Sequence, residues 1–361
     1  MHIGVLKHEK DARVAIIPEV VAKFSQAGHS VLVESGAGEG AFCSDALYEQ
    51  AGATVHSRAE VVSSADILVS MEPPGVAFLQ GLAPGKMVIS LFNPLAEAEK
   101  AAAIAAMPIR AFSLDRVPRT SIAQSMDVLS SQASLAGYKA VLVAANLLPG
   151  YFPMLMTAAG TIPPAKVMVL GAGVAGLQAI ATARRLGAVV EAFDVRSAVK
   201  EEVESLGAKF IEVEGAREEK TAGGYAVEQS EEFIRKQKAL VHERASRSNV
   251  VITTANIPGR KAPLLIEAAT VEAMAAGSVI VDLAAASGGN CALTQNDAII
   301  NHKGVTIVGN SNLPAEMPLH ASKLFSNNLL NFIKYVFPKG PESLDLTNDI
   351  VKGSLIQPAQ S

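Results

Sequence analysis

Six residues, Gly171-Ala172-Gly173-Val174-Ala175-Gly176, constrain this chain more than any other stretch of it. They follow the apolar run Val167-Met168-Val169-Leu170 and open a segment, Val174 to Leu186, that reads as a helix. The glycine spacing alone is weak; the strand before it and the helix after it give it meaning. Gly171 permits the tight turn. Gly173 lets a pyrophosphate approach the backbone, and Gly176 lets the helix pack close on the strand. The helix start then offers free N–H groups and a positive dipole end to phosphates. The next strand, Val189 to Phe193, ends at Asp194, 18 residues past Gly176. An acid there accepts the ribose hydroxyls of an adenosine and repels a 2′-phosphate, which favours NAD over NADP. Arg196, beyond Val195, blurs that preference. The plain alternative is a glycine-rich turn with a surface Asp. It accounts less well for strand, loop, helix, strand and acid in that order.

The rest of the chain alternates in the same way. Ile3–Leu6, Ser30–Val33, Asp66–Val69 and Met87–Leu91 read as strands, with a helix over Pro18–Ala27 that stops at Gly28. Past the glycine loop come a helix over Ala198–Leu206 and strands over Asn249–Thr253, Ser278–Asp282 and Val305–Val308. Such alternation predicts an α/β fold: two doubly wound, Rossmann-like domains with mainly parallel sheets. From Thr120 to Leu148 there is no proline and one glycine, Gly137. As one helix this stretch spans roughly 40 Å and joins the two domains. The domains are then residues 1–135 plus 319–361, with a returning helix over Leu319–Phe337 and a tail, and residues 136–318. Between Glu212 and Gln229 the pattern lapses into glycines and charges around Tyr225, as in a mobile loop.

Composition removes several classes of function. A net charge of −4 and the absence of tryptophan argue against a nucleic-acid surface. Cys43 and Cys291 make neither a disulfide framework nor a metal spacing. The uncharged stretch Ala140–Ala165 is broken by Pro149, Pro153, Pro163 and Pro164, so it reads as a helix end, a loop and buried core rather than a span. No nucleophile stands beside a base, and none of the seven histidines has a catalytic setting. Lys7, Lys10 and Arg13 read as candidate cleft cations or solvated loop charge.

The stretch Pro118-Arg119-Thr120-Ser121-Ile122-Ala123-Gln124-Ser125-Met126-Asp127, running on to Gln132, resembles the NAD(H)-binding alpha subunit of proton-translocating NAD(P) transhydrogenases. The likeness continues through Leu135–Tyr138, Met156–Ala165, the glycine loop, Ala222–Ala226, Thr253–Ala255 with Ile257–Gly259, and Gly288–Cys291. It covers about residues 1–335. The resemblance implies that Arg119, Gln124, Asp127 and Ser130 contact the nicotinamide end of NAD(H). It also implies that Gly224 and Tyr225 lie on a loop closing over nucleotide, and that Ala255 lines the site with Val174, Asp194, Val195 and Arg196. Without it, Arg119 to Ser130 reads equally as a polar helix start with an internal ion pair. The resemblance further implies hydride transfer to NADP(H) on a partner beta subunit, a membrane-spanning partner, a homodimer, and a cytoplasmic place on the inner face of the membrane.

Alanine dehydrogenase shares the fold and the opening Arg13-Val14-Ala15. In that relative a lysine precedes a Glu-Pro pair, and a catalytic histidine follows the next strand. Here the segments read Ser70-Met71-Glu72-Pro73 and Phe92-Asn93-Pro94, with neither the lysine nor the histidine. Amino-acid oxidation and a non-catalytic NAD-binding module remain the two alternatives to transhydrogenation.

Overall fold

The computed structural model describes residues 1–213 and 230–357. The chain forms two compact units, Met1–Gln132 with Pro314–Ser361, and Ala133–Leu313.

The first unit holds a six-stranded sheet of β1 (His2–Val5), β2 (Ser30–Glu34), β3 (Thr54–His56), β4 (Ile67–Val69), β5 (Met87–Ser90) and β6 (Arg110–Ser113). All pairings are parallel and the order is β3-β2-β1-β4-β5-β6, a doubly wound sheet. Both faces are covered, so its central strands are nearly continuous apolar runs. On one face Ile3, Val5, Val31, Val33, Ile67 and Ile89 pack with the helices Pro18–Gln26 and Pro318–Val336. On the other, Leu32, Leu68 and Val88 meet Leu79, Leu82 and Ile104.

The helix Pro318–Val336 starts at a proline and buries Phe325, Leu329, Phe332, Ile333 and Val336 at helical spacing. Two serines lie on its buried face. Ser322 Oγ accepts the Val14 N–H at 2.9 Å, and Ser326 Oγ accepts that of Ile17 at 3.1 Å while donating to the Ala15 carbonyl. They satisfy a buried loop that would otherwise carry orphan backbone groups.

The described residues beyond this helix, up to residue 357, are not the tail that the sequence suggests. Asn348 Oδ1 caps the helix Asp349–Ser354 through the Ile350 and Val351 N–H groups. That helix buries Ile350 and Val351 in the core. Leu355 then bridges Phe112, and the Ile356 N–H donates to the Ala111 carbonyl at 2.8 Å, covering the outer edge of β6. Truncation after Thr347 is expected to cost this unit roughly 3–6 kcal/mol, from two aliphatic side chains at about 1.5–3 kcal/mol each. It also bares a sheet edge that invites aggregation. Urea unfolding of the full and shortened chains measures this, and equal midpoints would overturn it.

The long helix begins at Val128 rather than Thr120, and runs to Leu147. Before it, Ile122–Met126 is a 3-10 turn, and Asp127 turns out of helical geometry at ψ 88°. The reason is the Asp127 side chain. Its oxygens accept the Ser130 N–H at 2.9 Å and the Ser130 hydroxyl at 2.6 Å, which is an N-cap. After the helix, the stretch read as a loop contains an antiparallel hairpin, β7 (Leu155–Thr157) and β8 (Gly160–Ile162). The flanking prolines mask it in the sequence.

The main sheet of the second unit contains β9 (Lys166–Leu170), β10 (Val189–Phe193), β11 (Lys209–Ile211), β12 (Val250–Thr253), β13 (Val279–Asp282), β14 (Ile299–His302) and β15 (Val305–Val308). Their order is β11-β10-β9-β12-β13-β15-β14, parallel except for the edge strand β14. Alternate residues serve the two faces: Val167 and Val169 join one core, Met168 and Leu170 the other.

Candidate functional site

The second unit builds its site at the carboxyl end of β9, where the strand order reverses between β9 and β12. The Gly171 N–H donates to the Phe193 carbonyl at 2.8 Å, tying the turn to the end of β10. Gly171 has φ +100°, which an L side chain rarely adopts, and a Cβ there would lie 2.5 Å from Thr254 Oγ1. A Cβ on Gly176 would lie 1.8 Å from the Gly171 carbonyl oxygen. By contrast, a Cβ on Gly173 would meet nothing within 4 Å among the described residues. Two glycines are therefore held by protein atoms, and the middle one meets none of the described residues.

The helix Val174–Arg185 that follows has no side-chain cap among the described residues. Its first-turn N–H groups stand ready for an anion. Val174 is exposed at that turn.

Asp194 stands where the sequence places it, with its carboxylate engaged. Oδ2 accepts the Ala172 N–H of the glycine loop at 2.7 Å. Oδ1 accepts the Arg196 N–H at 2.9 Å, and the Arg196 guanidinium grips both oxygens, Nε to Oδ1 at 2.9 Å and Nη2 to Oδ2 at 2.7 Å. These hydrogen bonds from the guanidinium push the Arg196 pKa further up from its ordinary value. Arg196 thus holds the acid itself. Val195 between them packs on the core that contains Leu170 and Phe193.

The last wall of this site is the segment after β12. The Thr254 hydroxyl donates to the Gly171 carbonyl at 2.9 Å. The N–H and carbonyl of Ala255 are both bonded to the Asn290 side chain. Asn290 in turn rests on Asp282, wholly buried at the end of β13. Sequence reasoning assigned no role to Thr254, Asp282 or Asn290. The Thr-Thr-Ala and Gly-Gly-Asn stretches marked a likeness, but nothing in their spacing showed that they meet. Gly224 and Tyr225 lie outside the described residues.

The other group of sequence-predicted residues lies on the first unit. Arg119 and Gln124 are exposed, Gln124 within the 3-10 turn. Asp127 and Ser130 are half-buried and bonded to each other at the helix start.

On the same unit Arg13 is buried, not a solvated loop charge. Its Nε donates to Asp11 Oδ1 at 3.0 Å and its Nη2 to Asp11 Oδ2 at 2.5 Å. Nη1 donates to Gln132 at 3.1 Å and Nη2 also to Glu72 at 3.4 Å. Lys10 is exposed. Ser70, at the end of β4, is buried and bonds Ser90 at 3.2 Å. Asn93, after β5, is exposed in left-handed backbone, φ 49°.

Both cysteines are buried and unpaired, and burial pushes their thiol pKa values up, away from reactive thiolate. Among the described residues no cluster of His, Cys, Asp or Glu suits a metal ion.

Comparison with known proteins bears on both units. Residues 5–136 match the family model described as alanine dehydrogenase/PNT, N-terminal domain, and residues 140–359 match the corresponding C-terminal domain. The chain is 45% identical to an NAD(P) transhydrogenase alpha-subunit chain of Rhodospirillum rubrum, over 99% of this chain and 96% of that protein. A crystal structure of transhydrogenase from Sinorhizobium meliloti superposes with a TM-score of 0.86 at 40% identity, covering 99% of this chain and 97% of that one. An L-alanine dehydrogenase structure superposes with a TM-score of 0.82 at 26% identity, covering 98% and 94%.

Proposed function

The chain belongs to the alanine dehydrogenase/PNT family, and from that premise we propose that it is the NAD(H)-binding component of a proton-translocating transhydrogenase. It passes hydride between NADH and NADP⁺ held on a partner subunit. Gly171, Gly173, Val174 and Gly176 receive the pyrophosphate at the helix start. Asp194 takes the adenosine ribose hydroxyls as Arg196 yields one or both of its oxygens. Ala255 forms the facing wall. Gln124, with Arg119, Asp127 and Ser130, acts at the nicotinamide end, where an exposed amide can hydrogen-bond two cofactors at once.

One observation favours hydride transfer between nicotinamides over oxidation of an amino acid. The positions that would supply a lysine and a histidine carry instead a buried Met71, just before Glu72-Pro73, and an outward Asn93. Neither shuttles a proton to or from a substrate oxygen or nitrogen. Arg13 points the same way: its guanidinium already has a buried carboxylate on two of its nitrogens, which leaves it poorly placed to receive a substrate carboxylate. A direct hydride step needs no such groups. It needs two rings at reacting distance, and orientation supplies most of the acceleration.

The assembly follows from the same reading: an NADP-binding beta subunit, a membrane-spanning subunit, and a peripheral place on the cytoplasmic face. No helix among the described residues is long and apolar enough to cross a membrane. A homodimer accounts for the hairpin region, which exposes Tyr151, Met154, Met156 and Ile162 to solvent.

The test follows NADH oxidation by the purified chain under two conditions. One adds pyruvate and ammonium; the other adds an NADP⁺-loaded partner domain. Turnover only in the second supports the proposal, and turnover in the first establishes an amino-acid dehydrogenase. Gln124→Ala is expected to cut transfer about a hundredfold, the worth of an interaction made at the reacting centre, with NADH affinity within a few-fold of the parent. Unchanged transfer would remove Gln124 from the reaction.

A further inference from the structure

Asp282 is a carboxylate with no exposed surface, and five neutral groups hold it. Oδ1 accepts the Thr253 hydroxyl at 2.9 Å and the Ala284 N–H at 3.0 Å. Oδ2 accepts the Asn290 N–H at 2.8 Å, the Cys291 N–H at 3.0 Å and the Thr294 hydroxyl at 2.7 Å. Burying a carboxylate is expensive, and a full set of donors is what offsets the cost. The result is a fixed post that gathers the segment after β13 onto the ends of β12 and β13.

Asn290, also wholly buried, extends the post towards the glycine loop. Its Oδ1 accepts the Ala255 N–H at 3.1 Å, and its Nδ2 donates to the Ala255 and Pro263 carbonyls, both at 2.8 Å. One side-chain amide thus satisfies both backbone groups of a single residue, as a neighbouring strand would. The residue before it, Thr254, donates its N–H to the Leu170 carbonyl at 2.8 Å and its hydroxyl to that of Gly171 at 2.9 Å. The path from Asp282 to the turn that bears the phosphate loop is therefore continuous. A Cβ at Gly171 would lie only 2.5 Å from the Thr254 hydroxyl, so turn and hydroxyl are in direct contact.

We infer that Asn290, seated on Asp282, is a positioning residue of the dinucleotide site: it sets the Ala255 peptide and, through the Thr254 hydroxyl, the Gly171 turn. This rests on the reading of the glycine loop as a nucleotide cradle. A merely structural Asn290 would lower stability when removed. A positioning Asn290 also weakens NADH binding, and does so through Thr254.

The experiment measures NADH affinity of the full chain by NADH fluorescence, free of tryptophan emission because the chain has no Trp. The variants are Asn290→Ala, Thr254→Val, the double variant and Thr254→Ser, with melting temperature followed alongside. Each of the first two is expected to raise Kd about tenfold, the worth of one net hydrogen bond. The double variant should be no weaker than about tenfold, because both cuts break one path. Thr254→Ser, which keeps the hydroxyl, should bind as the parent does. If the parent binds NADH and the variants bind equally well, or if the two losses multiply, the inference fails and the loop reading stands. If the parent does not bind NADH, both fall. Should Asn290→Ala not fold, the Thr254 pair decides: equal affinity of the Val and Ser variants overturns the inference.

Discussion

Gly173→Ala is expected to melt with the parent chain and yet to lose NADH. Its φ of −80° suits alanine, and the new methyl group meets no atom of the described residues within 4 Å. What it would strike is a ligand drawn up against the loop. A methyl in the place of a pyrophosphate contact costs the cofactor a close approach to several N–H donors at once, so Kd should rise at least about a hundredfold, or about 2.8 kcal/mol. Gly176→Ala makes the contrast. Its methyl would stand 1.8 Å from the Gly171 carbonyl oxygen, which is backbone and cannot swing aside. That variant should lose NADH and also lower the melting temperature, through the roughly 1–3 kcal/mol that overpacking costs. Fluorescence titration and thermal melts on the two variants separate the causes. A Gly173→Ala chain that binds NADH normally would mean that the open side of the loop is not where the phosphates lie.

The glycine loop was legible because its demands are local: a turn, a close approach and a helix start, all within six consecutive residues. Asp194 was legible by position, but its clasp by Arg196 was not, since spacing says nothing about which way a guanidinium turns. The start of the long helix was misplaced for a different reason. Residues 120–127 have acceptable helix propensity, and the Asp127 side chain, accepting the Ser130 N–H and hydroxyl, makes the helix start later than propensity would. The C-terminal segment hid because its few apolar residues show no period of their own. Ile350, Val351 and Leu355 make sense only against Phe112 and its neighbours, far away in sequence. Asp282 hid most completely. As a letter it is one acid at the end of an apolar strand; its five donors come from positions between Thr253 and Thr294 that only the fold assembles.

Gly137 shows how a residue that propensity disfavours can be required by packing. It sits inside the helix Val128–Leu147, where glycine costs about 1 kcal/mol relative to alanine. A Cβ there would lie 2.0 Å from the Ala175 carbonyl oxygen and 2.8 Å from the carbonyl carbon. Ala175 is the second residue of the helix that follows the glycine loop. The two helices approach closely there, and the buried Ala140 and Ala144 pack in one core with Ala179 and Ala183. Neither backbone can yield without moving the first turn of the helix Val174–Arg185. Gly137→Ala should therefore destabilise the second unit by about 3 kcal/mol of overpacking, against a propensity gain of about 1 kcal/mol. The net loss of about 2 kcal/mol lowers the melting temperature by roughly 4–8 °C for a unit of this size. Gly137→Leu should prevent folding of that unit. Because the strain falls on the helix start, Gly137→Ala should also weaken NADH binding, which Gly137's distance along the chain from the loop would not suggest. A Gly137→Ala chain that melts above the parent would show that the contact relaxes freely and that propensity alone governs this position.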